Sequence, residues 1–194
     1  EQGVHRSSDE KVLASAHKAS LTPELHLNLS HRSLTRIPSL VRVSPLLQSI
    51  DLSHNDLTVA PLIELLELES LTTLDLSHNQ ITEMPSPPHR PRGDEVLWRL
   101  TSLDCSHNKL EMQPDIVRNL PCLTFLDISG NPVQSIDVNV LYMATNLVGL
   151  GIGGGTVSIG KEGLARSVGE LSSLKHLKMA SHVLGEEPWV MGIG

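Results

Sequence analysis

The sequence predicts an α/β solenoid: a curved segment whose concave face is lined by a short parallel sheet, with loops or short helices outside. Three observations predict it. A six-residue string recurs, reading IDLSHN at 50–55, LDLSHN at 74–79, LDCSHN at 103–108 and LDISGN at 126–131. Extended outward, the string fits L-x-x-L-x-L-x-x-N-x-L, and seven copies align from Glu24, Leu47, Leu71, Leu100, Leu123, Leu147 and Leu174, at intervals of 23, 24, 29, 23, 24 and 27 residues. Hydrophobic residues make up 39% of the 194-residue chain but aromatics only 2%, so the core must be aliphatic, with leucine leading.

Within each copy the L-x-L segment alternates as a short strand does. Ile50, Leu52, Leu74, Leu76, Leu103 and Leu126 point one way and the residues between them point the other. One such turn cannot bury its apolar edge alone, whereas stacked turns bury a continuous core. Asn55, Asn79, Asn108 and Asn131 fall where the chain bends away from the strand. A buried amide there can bond to unpaired backbone groups of adjacent turns, which makes these residues a structural ladder. The ladder fails in the end copies, where Arg32, Gly155 and His182 stand in place of asparagine. Pro38, Pro61, Pro85 and Pro114 follow the bend and suit irregular or short helical outer segments.

The motif resembles the leucine-rich-repeat family in its common form of about 23 or 24 residues per turn. The resemblance covers roughly residues 24–184. It implies a horseshoe segment of about seven repeats and a non-catalytic role, as a protein-interaction scaffold or adaptor that binds its partner through the concave face. Extracellular members of the family usually carry cysteine-clustered caps; Cys105 and Cys122 form no such cluster, and an intracellular, cytoplasmic setting is expected.

Outside the repeats, Ser7 and Glu10 have capping-box spacing ahead of KVLASAHKA, which predicts a helix over about 9–19 closing the first turn. Three parts follow: a helical cap over 1–23, the repeat domain over 24–184 and a glycine-rich tail over 185–194. The chain opens on Glu1 and is expected to be a fragment or processed form.

The formal net charge of −7 argues against a direct nucleic-acid partner. No run is apolar for long enough to span a membrane, and the cysteines have neither a disulfide framework's nor a zinc site's spacing.

Several motifs invite chemistry and are weaker than they look. Residues 85–93, PSPPHRPRG, lengthen the third copy and predict an exposed, extended loop; it holds the spacing of one class of Src-homology-3 ligand, and Arg92-Gly93-Asp94 completes an integrin-type tripeptide. Gly155 to Glu162 nearly matches a phosphate-binding loop, but Glu162 replaces the magnesium-holding hydroxyl and would repel phosphate. Gly149, Gly151 and Gly154 have dinucleotide-fingerprint spacing, yet Leu150 and Ile152 between them are needed as core residues. A nucleotide-binding enzyme is therefore the least favoured class, and no cofactor is expected. Asn28-Leu29-Ser30 is a formal glycosylation sequon inside a strand.

His31, His54, His78 and His107 share one repeat position and form a row at about 4.8 Å spacing, wide for two ring nitrogens to share a zinc. No metal is expected, although imidazoles titrating near neutrality could make binding pH-sensitive. The outward central row reads Asn28, Asp51, Asp75, Asp104, Asp127, Gly151, Lys178, and the next row Ser30, Ser53, Ser77, Ser106, Ser129, Gly153, Ala180. Consecutive aspartates about 5 Å apart repel by on the order of 1 kcal/mol per pair in water, a repulsion that a partner with a basic patch would relieve. Phe125, beside the central row, is a natural aromatic anchor. The expected contact set is Asp51, Asp75, Asp104, Asp127, Ser53, Ser77, Ser106, His54, His78, His107 and Phe125. The other reading of the same surface is a structural subunit permanently docked in a large cytoskeletal or ribonucleoprotein assembly.

Overall fold

A computed structural model describes residues 25–37, 46–58, 65, 68–84, 99–133, 136, 141, 144–154, 171–180 and 189–192. Seven strands run parallel in chain order: β1 (His26–Asn28), β2 (Ser49–Asp51), β3 (Thr73–Asp75), β4 (Ser102–Asp104), β5 (Phe125–Asp127), β6 (Gly149–Gly153) and β7 (His176–Ala180). Their registers match the copies position for position, with Asp51 beside Asp75, Asp75 beside Asp104 and Asp104 beside Asp127.

The consensus positions form the core. Leu47, Ile50, Leu52 and Leu57 of the second copy are buried, as are Leu71, Leu74, Leu76 and Ile81 of the third. Burying a side chain of this size contributes roughly 1.5–3 kcal/mol. Cys105 takes a leucine position in the fourth copy; it is buried, and burial pushes its thiol far above the ordinary range, so it behaves as a small hydrophobe.

The chain returns to each strand through turns spaced three residues apart. Leu68 N–H donates to the Leu65 carbonyl and Leu71 N–H to Leu68, a pattern repeated through Val117, Leu120 and Leu123 and through Leu141, Ala144 and Leu147. A 3-10 helix, Asp115–Asn119, begins after Pro114, which fits a proline's missing donor to a helix start.

The asparagine ladder has the predicted role. Asn55 Oδ1 accepts from the Leu34 amide at 3.0 Å, while its Nδ2 donates to the Leu29 and Leu52 carbonyls at 2.9 Å. Asn79, Asn108 and Asn131 repeat this one copy further along. A second ladder, at the other end of the strands, was not foreseen. The Thr72 hydroxyl donates to the Gln48 carbonyl, Thr101 to Thr72 and Thr124 to Thr101, at 2.9, 3.0 and 2.9 Å.

A further strand, β8 (Trp189–Gly192), pairs antiparallel with β7. It lies within the stretch expected to be a glycine-rich tail. It carries no repeat motif, so periodicity gives it no signal; its backbone covers the edge that β7 would otherwise leave open. The predicted helix over 9–19 and the proline-rich loop over 85–93 lie outside the described residues. No helix among the described residues is long and apolar enough to cross a membrane.

Candidate functional site: the outward face of the sheet

The strand registers set Asn28, Asp51, Asp75, Asp104, Asp127, Gly151 and Lys178 side by side across the sheet. Each aspartate is fixed by the serine two residues on. Oδ1 accepts that serine's amide at 3.0 Å for Asp51 with Ser53, 2.9 Å for Asp75 with Ser77, 2.8 Å for Asp104 with Ser106 and 2.8 Å for Asp127 with Ser129. This is a side-chain-closed turn, and it carries the chain off the strand.

The ends of the row differ from its middle. Asn28 Nδ2 donates to Asp51 Oδ2 at 2.9 Å, and Lys178 Nζ donates to Asp127 Oδ2 at 3.2 Å. Among the described residues, Asp75 and Asp104 have no hydrogen-bonding partner from another rung. Burial raises the Asp104 carboxyl above its ordinary value, Ser106 opposes this through hydrogen bonds, and the neighbouring Asp127 and Asp75 charges add to it. The row is therefore closed at both ends and open in the centre.

Glycine on β6 makes the closure at Lys178 possible. A Cβ on Gly149 would lie 2.9 Å from Phe125 Cδ2, and one on Gly151 would run into the Asp127 carboxylate. The Phe125 ring and Asp127 carboxylate of β5 thus lean over β6, and Lys178 of β7 reaches across Gly151 to meet Asp127. The Asp127 side chain is only 7% exposed, against 50% for Lys178.

Beside the aspartates runs the histidine row. The rings of His31, His54, His78 and His107 stack face to face, with centroids 4.2, 4.1 and 4.3 Å apart and interplanar angles of 12°, 8° and 9°. All four residues have positive φ, between 53° and 55°. Histidine is among the side chains that tolerate this region. The fifth copy has Gly130 there, at φ 69°, and a Cβ on it would lie 2.6 Å from His107 Nδ1. The glycine leaves room for the last ring of the stack.

The family model for leucine-rich repeats in two copies matches residues 45–89 and 98–143, the stretches that carry these rungs. The chain is a leucine-rich-repeat protein. A leucine-rich-repeat protein of Leptospira interrogans superposes with a TM-score of 0.58 at 26% identity, over 80% of this chain and 44% of that one. The protein of a TLR13–ssRNA13 complex superposes with a TM-score of 0.65 at 22% identity, over 78% of this chain and 21% of that one, a likeness of fold alone. The chain thus spans less than half the length of either. A comparison with curated protein sequences gives no match.

On this leucine-rich-repeat scaffold the expected contact residues fall into distinct groups. Asp51, Asp75 and Asp104 lie half-buried on the face, while His54, His78 and His107 are exposed beside it. Phe125 is 40% exposed. Ser53, Ser77 and Ser106 are each only 7% exposed, because they sit under the turns that hold the aspartates. They position the carboxylates from beneath. Asp127 already has its cation. The sequence reading missed the closing roles of Asn28 and Lys178; their shared register with the aspartates was the available signal.

Two motifs acquire a place in the solenoid. Gly149 and Gly151 lie in a strand whose Leu150 and Ile152 are buried, so the dinucleotide-type spacing forms no strand-to-helix turn. The sequon's Asn28 amide nitrogen is engaged by Asp51. Residues 155–162 lie outside the described residues. For the histidines, parallel rings point their in-plane lone pairs side by side instead of towards one point, which is unsuited to a tetrahedral metal.

Proposed function

We propose that this chain is a non-catalytic binding module whose sheet face takes a basic segment of another protein. The observation that carries this reading is the central pair, Asp75 and Asp104, on adjacent rungs. Each spends one oxygen on its own serine and has no cross-rung partner among the described residues. Lysine or arginine side chains laid across these rungs would neutralise charges that otherwise repel, and arginine can bridge two carboxylates with one planar group. Phe125, one rung further along, supplies an apolar contact beside the charged pair.

A binding role suits the remaining chemistry. The serines are turn residues, and the histidine rings stack on one another instead of on a nucleophile. A carboxylate-lined face repels phosphates, so we carry no RNA ligand over from the TLR13 complex. An intracellular setting belongs to the same reading: Cys122 is an exposed free thiol, which a reducing compartment preserves.

The test is affinity capture with the immobilised chain, comparing wild type with Asp75→Lys/Asp104→Lys and identifying captured proteins by mass spectrometry. The folded double variant should lose the basic partners that wild type retains. Undiminished capture by the variant would move the interface to another surface.

A further inference from the structure

The histidine stack lies alongside the acidic row and is mechanically joined to it. Each histidine amide donates to the carbonyl of a serine on the next rung: His31 to Ser53 at 3.2 Å, His54 to Ser77 at 3.0 Å, His78 to Ser106 at 3.0 Å and His107 to Ser129 at 2.8 Å. Those same serines give their own amides to Asp51, Asp75, Asp104 and Asp127. Each of these four histidines is thus linked, through its backbone amide and one serine, to a carboxylate.

We propose that the imidazole stack is a proton-responsive element that loosens the acidic rungs, and with them the hold on a basic partner, as the pH falls below neutrality. Its effect on the solenoid stands by itself; its effect on binding rests on the reading of the sheet face proposed above.

Neutral rings about 4.2 Å apart attract by dispersion, whereas two adjacent imidazolium rings at that distance place like charges face to face. Protonation thus converts the stack from a stabilising to a repelling contact. All four residues hold a backbone conformation that side chains rarely adopt, so a ring released from the stack also removes a restraint on its turn.

The surroundings act in both directions. Loss of hydration, then the rings of His78 and His31, keep His54 below its ordinary value; the Asp75 and Asp51 carboxylates act the other way. Gly130 abuts His107 without adding charge. Arg32 follows His31 in the chain, while Asp56 and Lys109 lie two residues beyond His54 and His107. Since the folded value of His54 lies below the unfolded one, its contribution to stability is full above the ordinary histidine range and is lost as the pH falls through the lowered value.

The test has two arms. The first compares melting temperatures between about pH 7.5 and 5 for wild type and His54→Asn/His78→Asn, since asparagine also tolerates a positive φ. Wild type should lose several degrees more than the variant over this range. Equal losses would overturn the proposal. Should the double variant not fold, the His54 ring proton is titrated by NMR in wild type and in His78→Asn; its midpoint should move up, and an unmoved midpoint is equally fatal. The second arm measures binding of an arginine-rich nonapeptide at pH 7.5 and 5.5. Wild type should weaken by about tenfold and the folded histidine variant much less. Equal wild-type affinity at both pH values would overturn the coupling to binding. Failure of the peptide to bind either protein at pH 7.5 would count against the sheet-face reading, while the melting comparison still decides the stack.

Discussion

Strands β2, β3 and β4 carry Asp51, Asp75 and Asp104 on one line; strands β5, β6 and β7 continue that line with Asp127, Gly151 and Lys178. The inward positions of the two halves are equivalent: Leu74 and Leu103 in the first, and Leu126 and Leu150 in the second, are all buried. The outward positions diverge, with Asp75 and Asp104 left open in the first half and Asp127 closed by an internal lysine in the second. A solenoid therefore separates what holds it together from what it presents. The inward leucines and the asparagines are repeated because every turn must be stacked, whereas the outward line can change rung by rung without disturbing the stack.

The comparison can be broken most severely from beneath. Asn108→Ala removes an amide whose Oδ1 accepts from Ile81 and whose Nδ2 donates to Leu76 and Cys105. It should lower unfolding stability by about 3 kcal/mol in a denaturant titration, since buried backbone groups lose their partners. If the ladder serves both halves alike, Asn131→Ala should cost a similar amount.

Gly151→Ala tests the closed half. Its methyl would occupy the space of the Asp127 carboxylate, so either that side chain or the strand must shift. A loss of about 2 kcal/mol is expected in the same titration. Lys178→Met should cost less, roughly 1 kcal/mol, because the lysine is half exposed although its partner is not. That variant extends the open acidic line by one rung, so an arginine-rich peptide should bind it more tightly than wild type.

The smallest effect has the opposite sign. Asp104→Asn keeps an oxygen for the Ser106 amide, as Asn28 does for Ser30, and removes one charge from the open pair. Stability at neutral pH should rise, by less than about 1 kcal/mol. The Asp104 carboxyl is raised, so its ionisation works against folding as the pH climbs through the folded value. The gain should therefore be largest near neutrality and vanish below the ordinary aspartate range in pH-dependent melts.

The inward half of this organisation is legible in the sequence. A period near 24 residues fixes which leucines are buried and which asparagines bend the chain, because each must repeat for the turns to stack. The outward line is legible as a row of residues but not as a set of contacts. Asp51 and Asp75 are both followed by Leu-Ser-His-Asn, yet only Asp51 has Asn28 beside it. Asp127 and Lys178 are 51 residues apart and meet only because a glycine rung lies between them. The left-handed turns of the histidines had a faint signal, since Gly130 takes the same place in the fifth copy. Strand β8 and the threonine ladder had weaker ones: the first follows no period, and the second depends on where a hydroxyl meets a carbonyl of the previous turn.

The bridge from Lys178 to Asp127 also bears on how the chain finds its alignment while folding. The inward residues of the copies are much alike, and a nascent array that set another rung between β5 and β7 would bury much the same leucines. The bridge discriminates at the far end: the lysine spans one intervening strand, and that strand must be bare at its centre, as Gly151 is. With an aspartate rung in the place of β6 the array could still collapse, but the lysine would stand beside a different carboxylate and the Asp127 side chain would lose the room that Gly151 leaves it. An irregular residue pair in an otherwise monotonous array can thus act as a checksum on the order of its strands.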